Sequence, residues 1–399
     1  MRADSVQKGG SLLSYGLLVM TVTHTLTHVF QNIHTALFPI LRGPQEFNLT
    51  LQQLGFIAAI PYLCQVILAV PLGILSDKFG SKKMVLVSMA VAAVGSLIAS
   101  QAMNPVMLTI AVSLVYINTA IYHPASYSFT TRLFRPRDRS KALGIHGGGG
   151  TLGMAIGPIS VSVLMTFFAF GWRLVYLFWF IPILLGVFLV LRVRSEPKED
   201  SKDDVSAAET YQPEKSSMFT MSFVLFLVFL GVRMLGGGMI SPFLTVFLVD
   251  EKGLDTSIAS LVLGGSTIVG LVAAPIGGVL ASRFGEKRWL IVSLALAYLS
   301  LGLGVAVPNV YFFVTLYIAH GFCNTLGMAA NSAIMASLSP SRQRGLGYAL
   351  FFLPGEIMGV IAPILAALVA AAFGLTSIFL ISLIIYMTGL AVLRFGVKV

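Results

Sequence analysis

Apolar stretches about as long as a bilayer is thick recur along the whole 399-residue chain, for example at 84–100, 161–191, 218–232 and 376–393. A helix needs about 20 residues to cross the hydrocarbon core. Lipid offers no partner to an unpaired peptide group, so such runs fold as helices. Only 11% of the residues are charged, against about 25% in soluble domains, which excludes a soluble globular protein. The first apolar run continues through Phe38 without a small-residue cleavage site, so it reads as a retained span and not as a signal peptide.

Twelve spans are expected, near 13–40, 50–75, 83–101, 105–131, 142–168, 174–192, 219–248, 257–281, 288–307, 310–337, 345–371 and 375–394. With both termini on one side, that side holds 22 of the 26 Lys and Arg. Arg42, Arg173 and Lys252 fall on the other side, and Arg233 lies within a span. The positive-inside rule then places both termini in the cytoplasm. The net charge of +10 reflects topology and not a nucleic-acid partner. Cys64 and Cys323, in different spans, supply no disulfide framework or metal knuckle.

The longest polar stretch, 195–217, is rich in charge and lacks an apolar period, as a linker does. It divides the chain into an N-terminal six-helix unit at 1–194 and a C-terminal one at 218–399. The halves repeat at an offset near 205 residues: Gly73-Ile-Leu-Ser-Asp77-Lys78-Phe79-Gly80 returns as Gly278-Val-Leu-Ala-Ser282-Arg283-Phe284-Gly285, and Asn118-Thr119 as Asn324-Thr325. Arg139 precedes Pro158 by 19 residues, as Arg344 precedes Pro363. Internal duplication of this kind marks secondary transporters, with the site between the halves near the midplane.

The 73–83 loop resembles the signature loop of the major facilitator superfamily. That resemblance implies twelve helices in two pseudo-symmetric six-helix bundles that rock about a central site, generally as a monomer. It also implies that Asp77, Lys78 and Gly80 act in gating, with Asp77 helping to latch the bundles. Topology and helix capping are the plainer reading of the same loop, and Ser282 replaces the acid in its second copy.

The run His146-Gly-Gly-Gly-Gly-Thr-Leu-Gly-Met-Ala-Ile-Gly-Pro158 looks at first like an enzyme loop. No Gly-Lys-Ser/Thr follows, so it is not a phosphate loop. Basic residues precede it where a dinucleotide fold needs a strand, and position 173 is arginine. No G-x-S-x-G elbow supports an esterase. A helix face remains: Gly149, Gly153 and Gly157 recur every four residues, a spacing that lets helix backbones approach closely, and Pro158 can kink the span. The arrangement is similar to the glycine-rich fifth-span motif of facilitator-superfamily antiporters. Plain packing explains it equally.

His28-Val-Phe-Gln31-Asn32 with Pro39, Ile121-Tyr-His123-Pro124-Ala125-Ser126 and the glycine run together resemble the fosmidomycin-resistance branch, a group of drug-efflux proteins. Gln31-Asn32 departs from that branch, which has Asn-Asp after the first histidine.

A charge at a span's centre costs roughly 2.5–3.5 kcal/mol on insertion scales, so those retained need a reason. Arg233 and Glu356 are the two deep in spans. Arg233 keeps its proton and needs an anion, supplied by a substrate or by Glu356. Glu356 is either a proton carrier or that partner. His24, His28, His34, His123, His146 and His320 all lie in or beside spans. His24 and His28 share one helix face. They suit a metal together with His123 or His320, a proton relay or substrate contact through His28 and His123, or interhelical hydrogen bonds. His146 reads as structural.

The expected function is therefore secondary active transport, not enzymatic catalysis: proton-coupled efflux of a small amphipathic or anionic compound, a drug or phosphonate, by alternating access. The expected substrate-binding residues are Arg233, His28, Asn32, His123, Tyr122, His320 and Asn324. Glu356, His28 and His123 are the expected proton-coupling residues. Asp77, Lys78, Gly80, Gly149, Gly153, Gly157 and Pro158 are expected to gate. No cofactor or resident metal is expected, and the expected location is a bacterial inner membrane. The alternatives are an organic-anion uniporter or symporter, and a metal-binding membrane protein using the span-1 histidines.

Overall fold

The computed structural model describes residues 12, 14–134, 136–193, 219–339 and 344–398. The side chains of 77, 136, 137, 140 and 344–349 lie outside that description, as does the expected linker at 195–217. Eleven helical spans among the described residues are long and apolar enough to cross a membrane. They are span 2 (Leu51–Phe79), span 3 (Ser81–Ser100), span 4 (Pro105–Leu133), span 5 (Pro136–Phe168), span 6 (Trp172–Arg192), span 7 (Met221–Asp250), span 8 (Thr256–Ile268 with Gly270–Phe284), span 9 (Glu286–Ala306), span 10 (Val310–Leu326 with Met328–Leu338), span 11 (Arg344–Phe373) and span 12 (Thr376–Ala391). Span 1 completes the twelve in pieces: Tyr15–Val29, a 3-10 turn Phe30–Asn32, Ile33–Ala36 and Phe38–Arg42.

Pro39 and the neighbouring turns explain the broken end of span 1. Proline has no N–H for the Thr35 carbonyl, and Ile40 N–H turns to Leu37 O at 3.0 Å, so the carbonyls of Thr35 and Ala36 need other donors. Span 7 supplies one: Thr245 Oγ1 donates to Thr35 O at 2.6 Å. Ser260 Oγ of span 8 lies 3.2 Å from Ala36 O and shares its single hydrogen between that carbonyl and Thr256 O at 2.7 Å. Tyr116 OH likewise takes the Gln31 carbonyl at 3.1 Å. The carbonyls of Gln31, Thr35 and Ala36 thus meet protein hydroxyls, as low-dielectric surroundings favour.

Spans 1–6 and 7–12 form two bundles whose internal duplication is visible atom by atom. Gly80 and Gly285, 205 residues apart, sit at φ 87° and 86° in the tight loops after spans 2 and 8, a conformation glycine adopts without a Cβ penalty. Lys82 donates to the carbonyls of Leu191 and Val193 at the end of span 6. Lys287, 205 residues on, donates to Val397 O beyond span 12. Asn104 and Asn309 cap spans 4 and 10 through side-chain oxygens. The loop motif therefore anchors peripheral helix ends, where a cation meets unpaired carbonyls.

The bundles touch through span 2 against span 11 and span 5 against span 8, but only along half their length. On the face away from the termini, a Cβ on Gly55 would lie 2.9 Å from Pro363 O, and one on Gly264 would lie 2.7 Å from Ala155 O. Arg42 pairs with Asp250 on that face. Both side chains are about a third exposed, so the pair contributes ~1 kcal/mol or less. Toward the termini the helices part: no described residue of span 2 is buried between Gln65 and Ser76, and none of span 11 between Leu350 and Ile361. Val70 is 71% and Phe352 63% exposed. The molecule is a wedge open on the side that carries its termini.

Within the N-terminal bundle the glycine run meshes with span 1. A Cβ on Gly149 would lie 2.6 Å from the Thr21 carbonyl oxygen, and one on Gly153 or Gly157 closer still to those of Thr25 and Val29. Gly147 and Gly148 face open space. Gly153→Ala should therefore destabilise the detergent-solubilised protein by about 1–3 kcal/mol through overpacking. Gly148→Ala should be neutral or raise stability by up to ~1 kcal/mol through helix propensity. Thermal unfolding of the two variants side by side checks this, and equal effects would refute the meshing.

Candidate functional site

Three polar clusters lie in the membrane interior. The first is built by spans 1, 4 and 5. His24 and His28, one turn apart, aim at His123, and the three Nε2 atoms stand 3.1 Å (His28–His24), 3.1 Å (His28–His123) and 3.3 Å (His24–His123) apart. The other ring nitrogens are held from behind: His24 Nδ1 lies 2.7 Å from His146 O and His28 Nδ1 2.6 Å from Gln31 Oε1. The His146 ring stacks on His24 with centroids 4.2 Å apart, and its Nε2 meets Ser126 Oγ at 3.3 Å. A Cβ on Gly150 would stand 2.8 Å from the His24 ring and 3.1 Å from that of His28. The fourth glycine of the run is thus what gives the imidazoles room.

The second cluster lies in the C-terminal bundle. Arg233 donates to Asn324 Oδ1 at 3.0 Å. His320 Nδ1 donates to Ala297 O at 2.9 Å, and the rings of Tyr298 and Tyr386 stack beside it 4.5 Å apart. Arg233 follows His28 by 205 residues, so the duplication places a cation in one bundle where the other has an imidazole. Asn118, repeat counterpart of Asn324, is fully buried, and neither polar atom of its side chain has a protein partner among the described residues.

The third cluster joins the bundles. Gln65 Nε2 of span 2 donates to both carboxylate oxygens of Glu356 in span 11, at 3.2 and 3.1 Å. This contact lies at the vertex of the wedge, where the buried half of the interface ends. Between it and the closed face is a cavity of about 60 Å³ lined by Asn32, His34, Tyr62, Tyr116, Ser241 and Pro363, among others. It has room for a few waters at most and is far below the roughly 300 Å³ of a drug-sized site.

The structure separates the two readings of the intramembrane charges. Glu356 faces an amide and Arg233 faces an amide, and no carboxylate pairs with Arg233 among the described residues. His28 and His123 come together as neighbours, whereas His320 sits in the opposite bundle. Tyr122 is fully buried, its hydroxyl bonded to Met20 O at 2.6 Å and Thr23 Oγ1 at 2.8 Å, so it ties span 4 to span 1. Lys78 lies exposed beside the Phe79 ring. The Asp77 side chain is outside the described residues, and Pro158 lies inside span 5. Gln65 and Gly150 escaped sequence reasoning. A lone amide in the apolar run around Cys64–Val70 was the available signal for the first.

A pair of six-helix bundles closed on one face, open on the other and holding polar groups at the midplane is the architecture of a membrane transporter. The Major Facilitator Superfamily model matches residues 20–236 and 221–398, and the chain belongs to that superfamily. It is similar to the fosmidomycin resistance protein of Escherichia coli (strain K12), 25% identical over 280 residues that cover 69% of this chain and 67% of that one. The probable nitrate transporter NarT of Staphylococcus epidermidis is 23% identical over 377 residues, 93% and 92% of the two chains. The chain spans 35% to 67% of the length of the curated relatives it matches first. In fold it is similar to a bacterial homologue of the human lysosomal transporter Spinster, solved inward-facing and unoccupied, with a TM-score of 0.84, 17% identity and 97% and 98% coverage.

If Arg233 is a lone buried cation in the resting fold, Arg233→Met removes its desolvation cost without breaking an ion pair. The variant should melt at the same temperature as the parent or higher. A loss of 3–5 kcal/mol, the cost of orphaning a buried partner charge, would reveal an anionic partner within the protein.

Proposed function

We propose that this facilitator-superfamily transporter exports a small anionic or amphipathic compound in exchange for protons, with Glu356 as the proton carrier and Arg233 with Asn324 as the anion subsite. The observation that carries the reading is the position of Glu356, which bridges the bundles at the vertex through a neutral amide. While the wedge is open the carboxylate faces the aqueous opening. Rocking the bundles to close that side strips its water, and an ion taken out of water costs several kcal/mol. A proton removes most of that cost, so the loaded and unloaded forms of Glu356 favour different access states. An anion bound at Arg233 cancels the second lone charge before closure, by charge-assisted hydrogen bonds to the guanidinium.

The basic, termini-bearing side is read as cytoplasmic by the positive-inside rule, so the wedge faces the cytoplasm, the side from which an exporter loads, and the membrane is a bacterial inner membrane. The relatives support the substrate class: one is named for resistance to fosmidomycin and another as a probable nitrate transporter, the first a phosphonate and the second an inorganic anion.

The test is uptake of labelled fosmidomycin into inside-out vesicles with an acidic interior. Accumulation above the equilibrium level is expected for the parent protein. Glu356→Gln should abolish accumulation but retain exchange of labelled for unlabelled compound, and Arg233→Gln should lose both. Uptake indifferent to the proton gradient and unchanged in Glu356→Gln would instead establish an Arg233-centred anion carrier without proton exchange.

A further inference from the structure

We propose that His24, His28 and His123 form a binding site for one divalent transition-metal ion, of the zinc, cobalt, nickel or copper class, through their three Nε2 atoms. The inference is independent of the proton-exchange reading above and rests on the geometry of the cluster.

The hydrogen atoms on the rings can be placed from the partners behind them. A peptide oxygen only accepts, so His24 Nδ1, 2.7 Å from His146 O, carries the hydrogen. With the Gln31 amide turned oxygen-first, its Oε1 at 2.6 Å takes a hydrogen on His28 Nδ1. Both rings, when neutral, then present bare Nε2 lone pairs to each other across 3.1 Å. His123 Nε2 sits 3.1 and 3.3 Å from the pair. A neutral His123 with its hydrogen on Nε2 donates toward His28 and His24. The His24–His28 edge still sets two bare nitrogens face to face at 3.1 Å. A metal ion above the triangle takes all three lone pairs at once.

The dimensions match. Zinc–imidazole bonds of 2.0–2.1 Å at tetrahedral angles put ligand nitrogens about 3.3–3.4 Å apart, close to the triangle observed. Three protein ligands leave a fourth position for water or a bound anion, the pattern of an open zinc site. The backing contacts to His146 O and Gln31 Oε1 are the outer-shell hydrogen bonds that fix ring orientation in metal centres. An all-imidazole ligand set favours zinc, copper, nickel and cobalt, whereas magnesium and calcium take oxygen. His24 and His28 are buried, but His123 is half-buried and Tyr127, its neighbour at 6.1 Å between ring centroids, is 40% exposed. The cluster therefore has an open edge through which an ion enters.

The experiment is titration of tag-free full-length protein in detergent with Co²⁺ alone, followed by calorimetry and visible absorption. One equivalent is expected to bind with the intense visible bands of four-coordinate cobalt, and Zn²⁺ should displace it. His28→Ala and His123→Ala should each weaken binding by more than about 100-fold, the upper range for losing an outer-shell contact, and Gln31→Leu by about 10–100-fold. Gly150→Ala, which crowds the rings, should also weaken it, while His34→Gln should leave it unchanged. Melting curves recorded without metal establish that each variant is folded. Absence of stoichiometric cobalt binding by the folded parent protein, or equal binding by the folded His24→Ala/His28→Ala/His123→Ala variant, would overturn the proposal. The first result would leave the cluster as a site for a shared proton.

Discussion

The close approach of span 5 to span 1 is the contact on which the rest of the N-terminal bundle depends. Gly149, Gly153 and Gly157 lie against the carbonyls of Thr21, Thr25 and Val29, two rows with the same four-residue spacing. Within a membrane the hydrophobic effect gives helices little reason to associate, so packing of small residues must do so. Thr25 Oγ1 adds a hydrogen bond to Gly149 O at 2.9 Å. This contact fixes the rotation of span 1, and with it the direction in which His24 and His28 point. Gly150 leaves the space their rings occupy, and His146 reaches back to orient one of them. A motif that resembles an anion-binding loop in one dimension is a helix contact and a histidine cradle in three.

Peptide hydrogen bonding links this bundle to its partner. The break in span 1 at Phe30–Asn32 and the proline at position 39 free carbonyls that a soluble protein would leave to water. Here Thr245 and Ser260 of the opposite bundle reach them. The same irregularity that lets span 1 bend therefore closes the face away from the termini, and Arg42–Asp250 adds little to it. The seam from this closed face ends at Gln65 and Glu356, the last polar contact before the helices part. The contacts to these carbonyls and the Gln65–Glu356 contact lie on one interface between the bundles.

Much of this was legible in the sequence, for physical reasons that differ by feature. The spans followed from the length and apolarity of each run, since lipid enforces helix almost without regard to side-chain detail. The duplication followed because the constrained positions recur: Gly80 and Gly285 need the left-handed region, and Lys82 and Lys287 meet helix ends. The glycine face followed from its period of four. What did not follow was rotation about helix axes, which tertiary packing sets. His24 and His28 visibly shared a face, but nothing local said that His123 and not His320 would join them. Likewise Arg233 and Glu356 are one cation and one anion in apolar runs, and only the packing of spans 7 and 11 keeps them with separate partners. Gln65 was hidden because a neutral amide in a long hydrophobic run raises no charge signal.

Duplication followed by divergence gives the two bundles opposite electrostatic needs. His28 and Arg233 occupy equivalent places in spans 1 and 7, yet one belongs to a group of converging lone pairs and the other is a fixed positive charge. The first is relieved by a cation and the second by an anion. Neither is satisfied by its neighbours alone: the histidine nitrogens face one another, and Arg233 meets only neutral groups among the described residues. In water such needs cost little, but at the centre of a bilayer each unpaired group costs kilocalories. The fold keeps both at the midplane, beside the interface where Gln65 meets Glu356. On the readings proposed above, a cation at the histidines and an anion at Arg233 each relieve one of these needs, so that ions of opposite sign bound to the two halves would together lower the cost of occlusion.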